Sequence, residues 1–257
     1  AFLELHFNYG VPEVLGLRYG YAGLNPSVAQ PPLRLTPELV DTIHEEGGTI
    51  LGTSRGPQPV EVMVDYLAAQ QINLLLCVGG DGTLRGARAI AEEILRRGLK
   101  IAVVGVPKTI DNDVMYVERT FGMQTAVDKA REVLDAAHNE AKSAFNGVGL
   151  VKVMGRDAGW VAVMGGLAGG ADMILIPEVP IDLDTVCRHV QRRWEQGRNF
   201  SIIVVAEGAQ ITDMAVNEEL GDTDAFGHVR LDRRGLAETV AKEVERQTGF
   251  ETRSVVL

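Results

Sequence analysis

Asn73-Leu74-Leu75-Leu76-Cys77-Val78 runs into Gly79-Gly80-Asp81-Gly82-Thr83, and further on Ile101-Ala102-Val103-Val104-Gly105-Val106 runs into Pro107-Lys108-Thr109-Ile110-Asp111-Asn112-Asp113. Each is an apolar run closed by a turn rich in polar residues or glycine. That pattern predicts strands buried on both faces of a parallel sheet. In open α/β sheets ligands gather at the carboxyl ends of strands, where both turns sit. Gly80 and Gly82 let backbone N–H groups approach phosphate oxygens, and a helix opening at Thr83 adds its positive end. Asp81, Asp111 and Asp113 can then converge, which suits a magnesium–polyphosphate complex with a general base. Gly-Gly-Asp-Gly taken alone also fits an ordinary β-to-α loop.

The rest of the composition agrees with an α/β protein that handles small molecules. The 257 residues, 46% hydrophobic, supply ample core for one domain or two. Twenty-nine glycines point to many tight turns. A net charge of −10 argues against nucleic acid or an anionic membrane as the main partner. Cys77 and Cys187 lie in apolar or helix-like segments, as in a reduced, cytoplasmic protein. No signal peptide, membrane-length apolar run or short-period repeat is visible.

Reading outward, residues 1–7 look like the end of a helix already under way, and Val14–Arg18 like a strand. Tyr21, in the loop that follows, suits stacking on a flat ring or an ordinary turn position equally. Thr36-Pro37-Glu38 predicts a helix start, with the helix ending at Gly47-Gly48. Thr49-Ile50-Leu51 reads as a short strand leading to Gly52-Thr53-Ser54-Arg55, a loop whose Arg55 suits phosphate. Val60, Val62, Met63, Tyr66 and Leu67 form the buried stripe of one helix, and Ala87, Ile90, Ile94 and Leu95 that of the next.

A long helix follows Phe121-Gly122, with Thr125 suited to a helix-start hydroxyl or to a ligand contact, and His138 solvated. Gly147–Val153 is a strand ending in Met154-Gly155-Arg156, a glycine and an arginine at a helix start that suit an anion. Trp160 reads as packing. Gly165-Gly166 and Gly169-Gly170 mark a tightly packed helix, and a strand from Met173 exits at Pro177-Glu178. Asp182–Gln196 is a helix bearing a surface His189. Phe200–Ala206 is a strand ending in Glu207, whose carboxylate can accept from sugar hydroxyls. Residues 208–228 are polar and irregular, and a last helix and strand complete the pattern.

Pro-Lys-Thr-Ile-Asp-Asn-Asp at 107–113 resembles the catalytic turn of the 6-phosphofructokinase family. Gly-Gly-Asp-Gly-Thr at 79–83 resembles its nucleotide-phosphate loop and Met154-Gly155-Arg156 its sugar-phosphate motif. Six ordered motifs span nearly the whole chain. The resemblance implies two Rossmann-like α/β domains, 1–121 for nucleotide and 122–257 for sugar phosphate, with the active site in the cleft between them. It implies transfer of the γ-phosphoryl of ATP, with Mg2+, to the 1-hydroxyl of fructose 6-phosphate in glycolysis.

On that resemblance Asp111 is the base, and Asp81 and Asp113 attend the metal. Arg55, Gly80, Gly82, Thr83 and Lys108 face the donor. Thr109, Asp111, Met154, Gly155, Arg156 and Glu207 face the sugar phosphate, with Arg156 also assisting catalysis. Arg253 reaches the 6-phosphate of a neighbouring subunit in a homo-oligomer, a dimer or tetramer.

The chain departs from the family pattern in places. It starts after the family's first strand and Gly-rich loop and stops before its last sugar-phosphate loop, as an internal fragment would. Seven residues before Met154, many bacterial members carry an arginine. Here the residue is Gly147, as in the plant-like and trypanosome-like branch. Two positions bear on the donor. Gly82 leaves room for the α-phosphate where pyrophosphate-dependent members have a second aspartate, whereas Lys108 is the residue those members carry. Steric and charge exclusion is the harder constraint, so ATP is expected and pyrophosphate is the alternative. NAD kinases and diacylglycerol kinases share the Gly-Gly-Asp-Gly-Thr loop but lack the other two motifs. A non-catalytic module that binds ligand or partner subunits is the rival from a different class.

Overall fold

A computed structural model describes residues 2–212 and 235–257. The chain divides into two compact units, Ala1–Val106 and Pro107–Leu257. The boundary near Phe121 read from the sequence falls inside the second unit.

The first unit opens with a π-helical turn, Glu4–Asn8. A two-stranded antiparallel ribbon pairs β1 (Leu15–Gly16) with β2 (Leu33–Arg34). Then come α1 (Pro37–Val40), α2 (Val60–Ala69), β3 (Leu74–Gly79) and α3 (Asp81–Arg96). β4 (Ala102–Thr109) lies next to β3, and its last residues, already in the second unit, pair in parallel with β5 (Phe121–Gly122). Leu75 and Cys77 of β3 pack with Met63, Val64 and Leu67 of α2 and with Ala87, Ile90 and Ile94 of α3.

Several expectations fail here for local reasons. The strand at Val14–Arg18 shrinks to two residues because Tyr19, at φ +60°, turns the chain. Thr36 does cap its helix, its hydroxyl accepting from Leu39 N–H at 3.3 Å with Pro37 in the first turn. That helix nevertheless stops at Val40 and gives way to a 3-10 turn at Ile43–Glu45. Of these residues only Val40 is buried, and a helix without an apolar stripe to bury gains little from tertiary packing. Thr49–Leu51 forms no strand. Leu51 accepts one bond, from Tyr19 N–H, before Gly52 at φ +68° reverses the backbone. Leu95 is 78% exposed, because it lies off the stripe that Ala87, Ile90 and Ile94 share.

The largest correction concerns β3 and β4, which are not buried on both faces. Leu74, Val78 and Val104 are 37%, 58% and 44% exposed, on the face of the sheet that α2 and α3 leave uncovered.

In the second unit come α4 (Met123–Ser143), β6 (Val148–Val153), α5 (Trp160–Ala168), β7 (Met173–Leu175), α6 (Leu183–Glu195), β8 (Ser201–Ala206), α7 (Leu236–Thr248) and β9 (Thr252–Val256). Among the described residues, β6 to β9 form one parallel sheet in the order β7-β8-β6-β9. Here both faces are covered. Val151, Val153, Ile202 and Val204 point at α4 and α5, and Val148, Leu150, Ile203 and Val205 at α6 and α7. The paired glycines of α5 bring it close to α4, since a methyl at Gly165 would lie 2.8 Å from Ala130 Cβ and one at Gly169 2.6 Å from Leu134 Cδ1. Asp182 caps α6, accepting from Asp184 N–H at 3.1 Å.

Three side chains depart from expectation in this unit. His138 is not solvated. It is half-buried, pairs through Nε2 with Gly169 O at 2.9 Å, and meets the Phe200 ring edge to face. The side-chain-free Gly169-Gly170 turn brings that carbonyl within its reach. Thr125 is exposed at the third position of α4, and the helix opens from Gly122 at φ +109° without a side-chain cap. Trp160 is 48% exposed, so burial does not account for it. Residues 213–228 of the irregular stretch lie outside the described residues.

Candidate active site

In the second unit, strand connectivity itself marks a place for a ligand. β6 is followed by α5 on one face of the sheet, while β8, its neighbour, is followed by α7 on the other. Adjacent strands whose continuations leave for opposite faces open a crevice at their carboxyl ends. Met154-Gly155-Arg156 sits on one lip and Glu207 on the other.

The two lips are bonded together. Glu207 is 8% exposed, and its Oε1 accepts from Arg156 N–H at 3.0 Å and Gly155 N–H at 3.3 Å. Gly155 has φ +141° and Arg156 φ +51°, the latter a left-handed backbone that an L side chain adopts only at a cost. Gly208 completes the fit, because any side chain there would collide with the Arg156 carbonyl oxygen. Met154 is 52% exposed at the rim.

The Pro107–Asp113 turn, also in this unit, is held by buried polar side chains. Thr109 Oγ1 donates to Asp111 Oδ2 at 2.8 Å and accepts from Asp111 N–H at 3.2 Å. Asn112, at φ +56° and 8% exposed, accepts from Thr120 N–H at 2.8 Å and donates to Glu118 O at 3.2 Å. Thr120 Oγ1 in turn donates to Thr109 O at 2.7 Å. Buried Asn112 thus fixes the backbone between two outward carboxylates, of which Asp111 is half-buried and Asp113 exposed. Lys108 is exposed beside them. Asn112, Thr120 and Gly208 were not picked out from the sequence. A left-handed Asn between two aspartates was the one available signal.

In the first unit the Gly-Gly-Asp-Gly turn opens α3 two residues earlier than expected. Gly80 is the cap, and Asp81, Gly82 and Thr83 form the first turn, with their N–H groups at its positive end. Asp81 and Gly82 are exposed. Tyr21 braces this turn. Its hydroxyl donates to Thr83 O at 2.5 Å and its ring fits where Gly86 lacks a side chain. Burial, with Cys77 beside it, pushes the phenol pKa well up. The loop carrying Arg55, itself exposed, is tied to the same segment through Ser54 Oγ, which donates to Tyr19 O at 2.6 Å.

Two positions lie elsewhere. Arg253 is beside Gly149, near the amino end of β6, so the sheet separates it from Arg156 at the carboxyl end. It is ion-paired with Glu140 and with Glu251. Gly147, one residue before β6, has no room for a side chain, which would collide with the Ala141 carbonyl at the end of α4.

Comparison with known proteins extends these observations. The family model described as Phosphofructokinase matches residues 1–257. An ATP-dependent 6-phosphofructokinase of Entamoeba histolytica is 49% identical over 88% of this chain and 52% of its own length. One from Trypanosoma cruzi is 51% identical over 78% of this chain and 41% of its own length. A pyrophosphate–fructose 6-phosphate 1-phosphotransferase of Dictyoglomus thermophilum is 38% identical over 97% and 70%. Among solved structures, phosphofructokinase from Saccharomyces cerevisiae superposes with a TM-score of 0.77 at 26% identity, over 99% of this chain and 34% of that one. The chain thus spans about half the length of the first two relatives.

Proposed function

The chain belongs to the phosphofructokinase family, and from that premise we propose that it carries the central part of an enzyme transferring the γ-phosphoryl of ATP to the 1-hydroxyl of fructose 6-phosphate. The observation that carries this reading is the Pro107–Asp113 turn, in which Asp111 stands at a strand's carboxyl end with Thr109 donating to one of its oxygens. That bond leaves Oδ1 to accept the proton of the substrate hydroxyl. The hydroxyl oxygen then bonds to the γ-phosphorus as the bond to the ADP oxygen breaks, and the proton rests on Asp111.

Arg156 supplies positive charge on the sugar side, where a guanidinium can meet two oxygens at once. Thr109, Met154, Gly155 and Glu207 complete that side. Gly80, Gly82 and Thr83 offer backbone amides to the donor phosphates at the start of α3, with Arg55 and Lys108 as added cations. Asp81 in the first unit and Asp113 in the second are exposed carboxylates, each a hard oxygen donor of the kind that magnesium takes alongside phosphate. Held by either, the ion would neutralise phosphate charge. Arg253, at the far end of the sheet from Arg156, fits service to another subunit of a homo-oligomer. A glycolytic role places the protein in the cytoplasm.

Pyrophosphate as donor is the second reading, favoured by Lys108 and by the Dictyoglomus relative. The test is phosphoryl transfer by the full-length polypeptide that carries this chain, with ATP and pyrophosphate compared and fructose 1,6-bisphosphate measured. Turnover with ATP is expected. Turnover with pyrophosphate alone overturns the donor, and none with fructose 6-phosphate overturns the reading.

A further inference from the structure

The loop that carries Arg156 is tied at both ends by carboxylates from neighbouring strand exits, and Glu207 is only one of them. The other is Glu178, just past β7. Its Oε1 accepts from Gly159 N–H at 2.8 Å, at the residue from which α5 opens. Between the two anchors Ala158 N–H donates to Gly155 O at 3.0 Å and closes the turn. Gly159 is fitted to this partner, because a methyl there would lie 2.7 Å from Glu178 Oε2 and 2.7 Å from Ile176 Cβ.

We propose that Glu178 is a positioning residue for the sugar-phosphate side, holding the far end of the loop so that Arg156 keeps its left-handed backbone and its direction. The inference rests on the reading that Arg156 serves fructose 6-phosphate. A left-handed arginine persists only where its surroundings over-determine it. Glu207 fixes the amides of Gly155 and Arg156, but a loop held at one end relaxes by rotating about the residues beyond. Glu178 removes that freedom without meeting the substrate. It is exposed and bonds to backbone, so it acts on the loop's geometry, and the glutamine variant, which lacks the charge but keeps the acceptor, separates that action from charge.

The test compares Glu178→Ala and Glu178→Gln in the full-length protein. Glutamine keeps an oxygen that accepts from Gly159 N–H, and alanine does not. Glu178→Ala is expected to raise KM for fructose 6-phosphate roughly ten-fold, the scale of one lost hydrogen bond. KM for ATP, kcat and the melting temperature should hold, and Glu178→Gln should restore the parental KM. An unchanged sugar KM in the alanine variant overturns the proposal. So does a general loss in kcat and melting temperature, which marks plain structural support, and so does a glutamine variant as impaired as alanine. Amide exchange at Arg156 and Gly159 separates this failure from that of the functional reading. Faster exchange in Glu178→Ala, in a parent that does not phosphorylate fructose 6-phosphate, overturns the substrate and with it this role. Turnover with an unaltered sugar KM overturns Glu178 alone.

Discussion

The sheets of the two units are built from similar apolar runs and end up differently clothed. β6 and β8 are buried at every residue, with α4 and α5 on one face and α6 and α7 on the other. β3 alternates instead. Leu75 and Cys77 lie under α2 and α3, while Leu74 and Val78 face outward. An unbroken apolar run is compatible with either outcome, because burial depends on how many helices pack and not on the strand alone. The turns differ in the same sense. The Gly80–Thr83 turn presents backbone amides and is braced by Tyr21, whereas the turns at Asp111 and Arg156 are held by buried polar side chains, Asn112, Thr120 and Glu207.

The comparison is broken or sharpened most severely at Asp111. If the second unit holds the chemistry, Asp111→Asn in the full-length enzyme lowers kcat by about 10²–10⁴-fold with much smaller changes in either KM. A variant that keeps most of its kcat shifts the base elsewhere.

Next in size is the contrast in packing. Ile202→Ala, in the doubly covered β8, should lose about 2–4 kcal/mol in urea unfolding. Val78→Ala, on the open face of β3, should lose less than about 0.5 kcal/mol. Equal losses would mean that the outer face of β3 is covered in the full-length protein.

The donor turn comes third. Gly82→Asp places a carboxylate among the amides proposed for the donor phosphates, so kcat/KM for ATP should fall by roughly ten-fold or more, with fructose 6-phosphate KM spared. A fall confined to the sugar side would reverse the division of labour.

The smallest expectation is a point of likeness. Glu93 on α3 and Glu243 on α7 each bond an arginine three residues on, Arg96 and Arg246, and those bonds hold both carboxyls down to about 2. A depressed carboxyl stabilises the fold above its unfolded pKa, and that increment fades as pH falls from about 4.5 toward 2. Carbon-detected titration should find both near 2. A value above 4 at either would show that its pair does not form in solution.

What the sequence revealed follows the range of the interactions involved. Thr36 as a cap, the helix beginning at Asp182, the glycine spacing of α5 and the order of motifs were legible because each is set within a few residues. The strand at Thr49–Leu51 and the rest of the helix after Thr36 failed because neither has a partner to bury against among the described residues. His138 was misread because its acceptor, Gly169 O, is supplied by a distant helix end. The bonds to the Arg156 loop escaped notice for the same reason, since Glu207 reaches Gly155 and Arg156, and Glu178 reaches Gly159, from beyond two other strands. Asp111 was visible, whereas the bonds by which Asn112 and Thr120 fix its backbone join residues 8 and 11 positions apart and leave no local sign.

Gly147 also limits what can be engineered into this end of the sheet. The end of α4 occupies the volume that a side chain at 147 would need, so a single substitution to arginine does not fit there. The helix end would have to withdraw at the same time. A further cation near the amino end of β6 must therefore be built from another position.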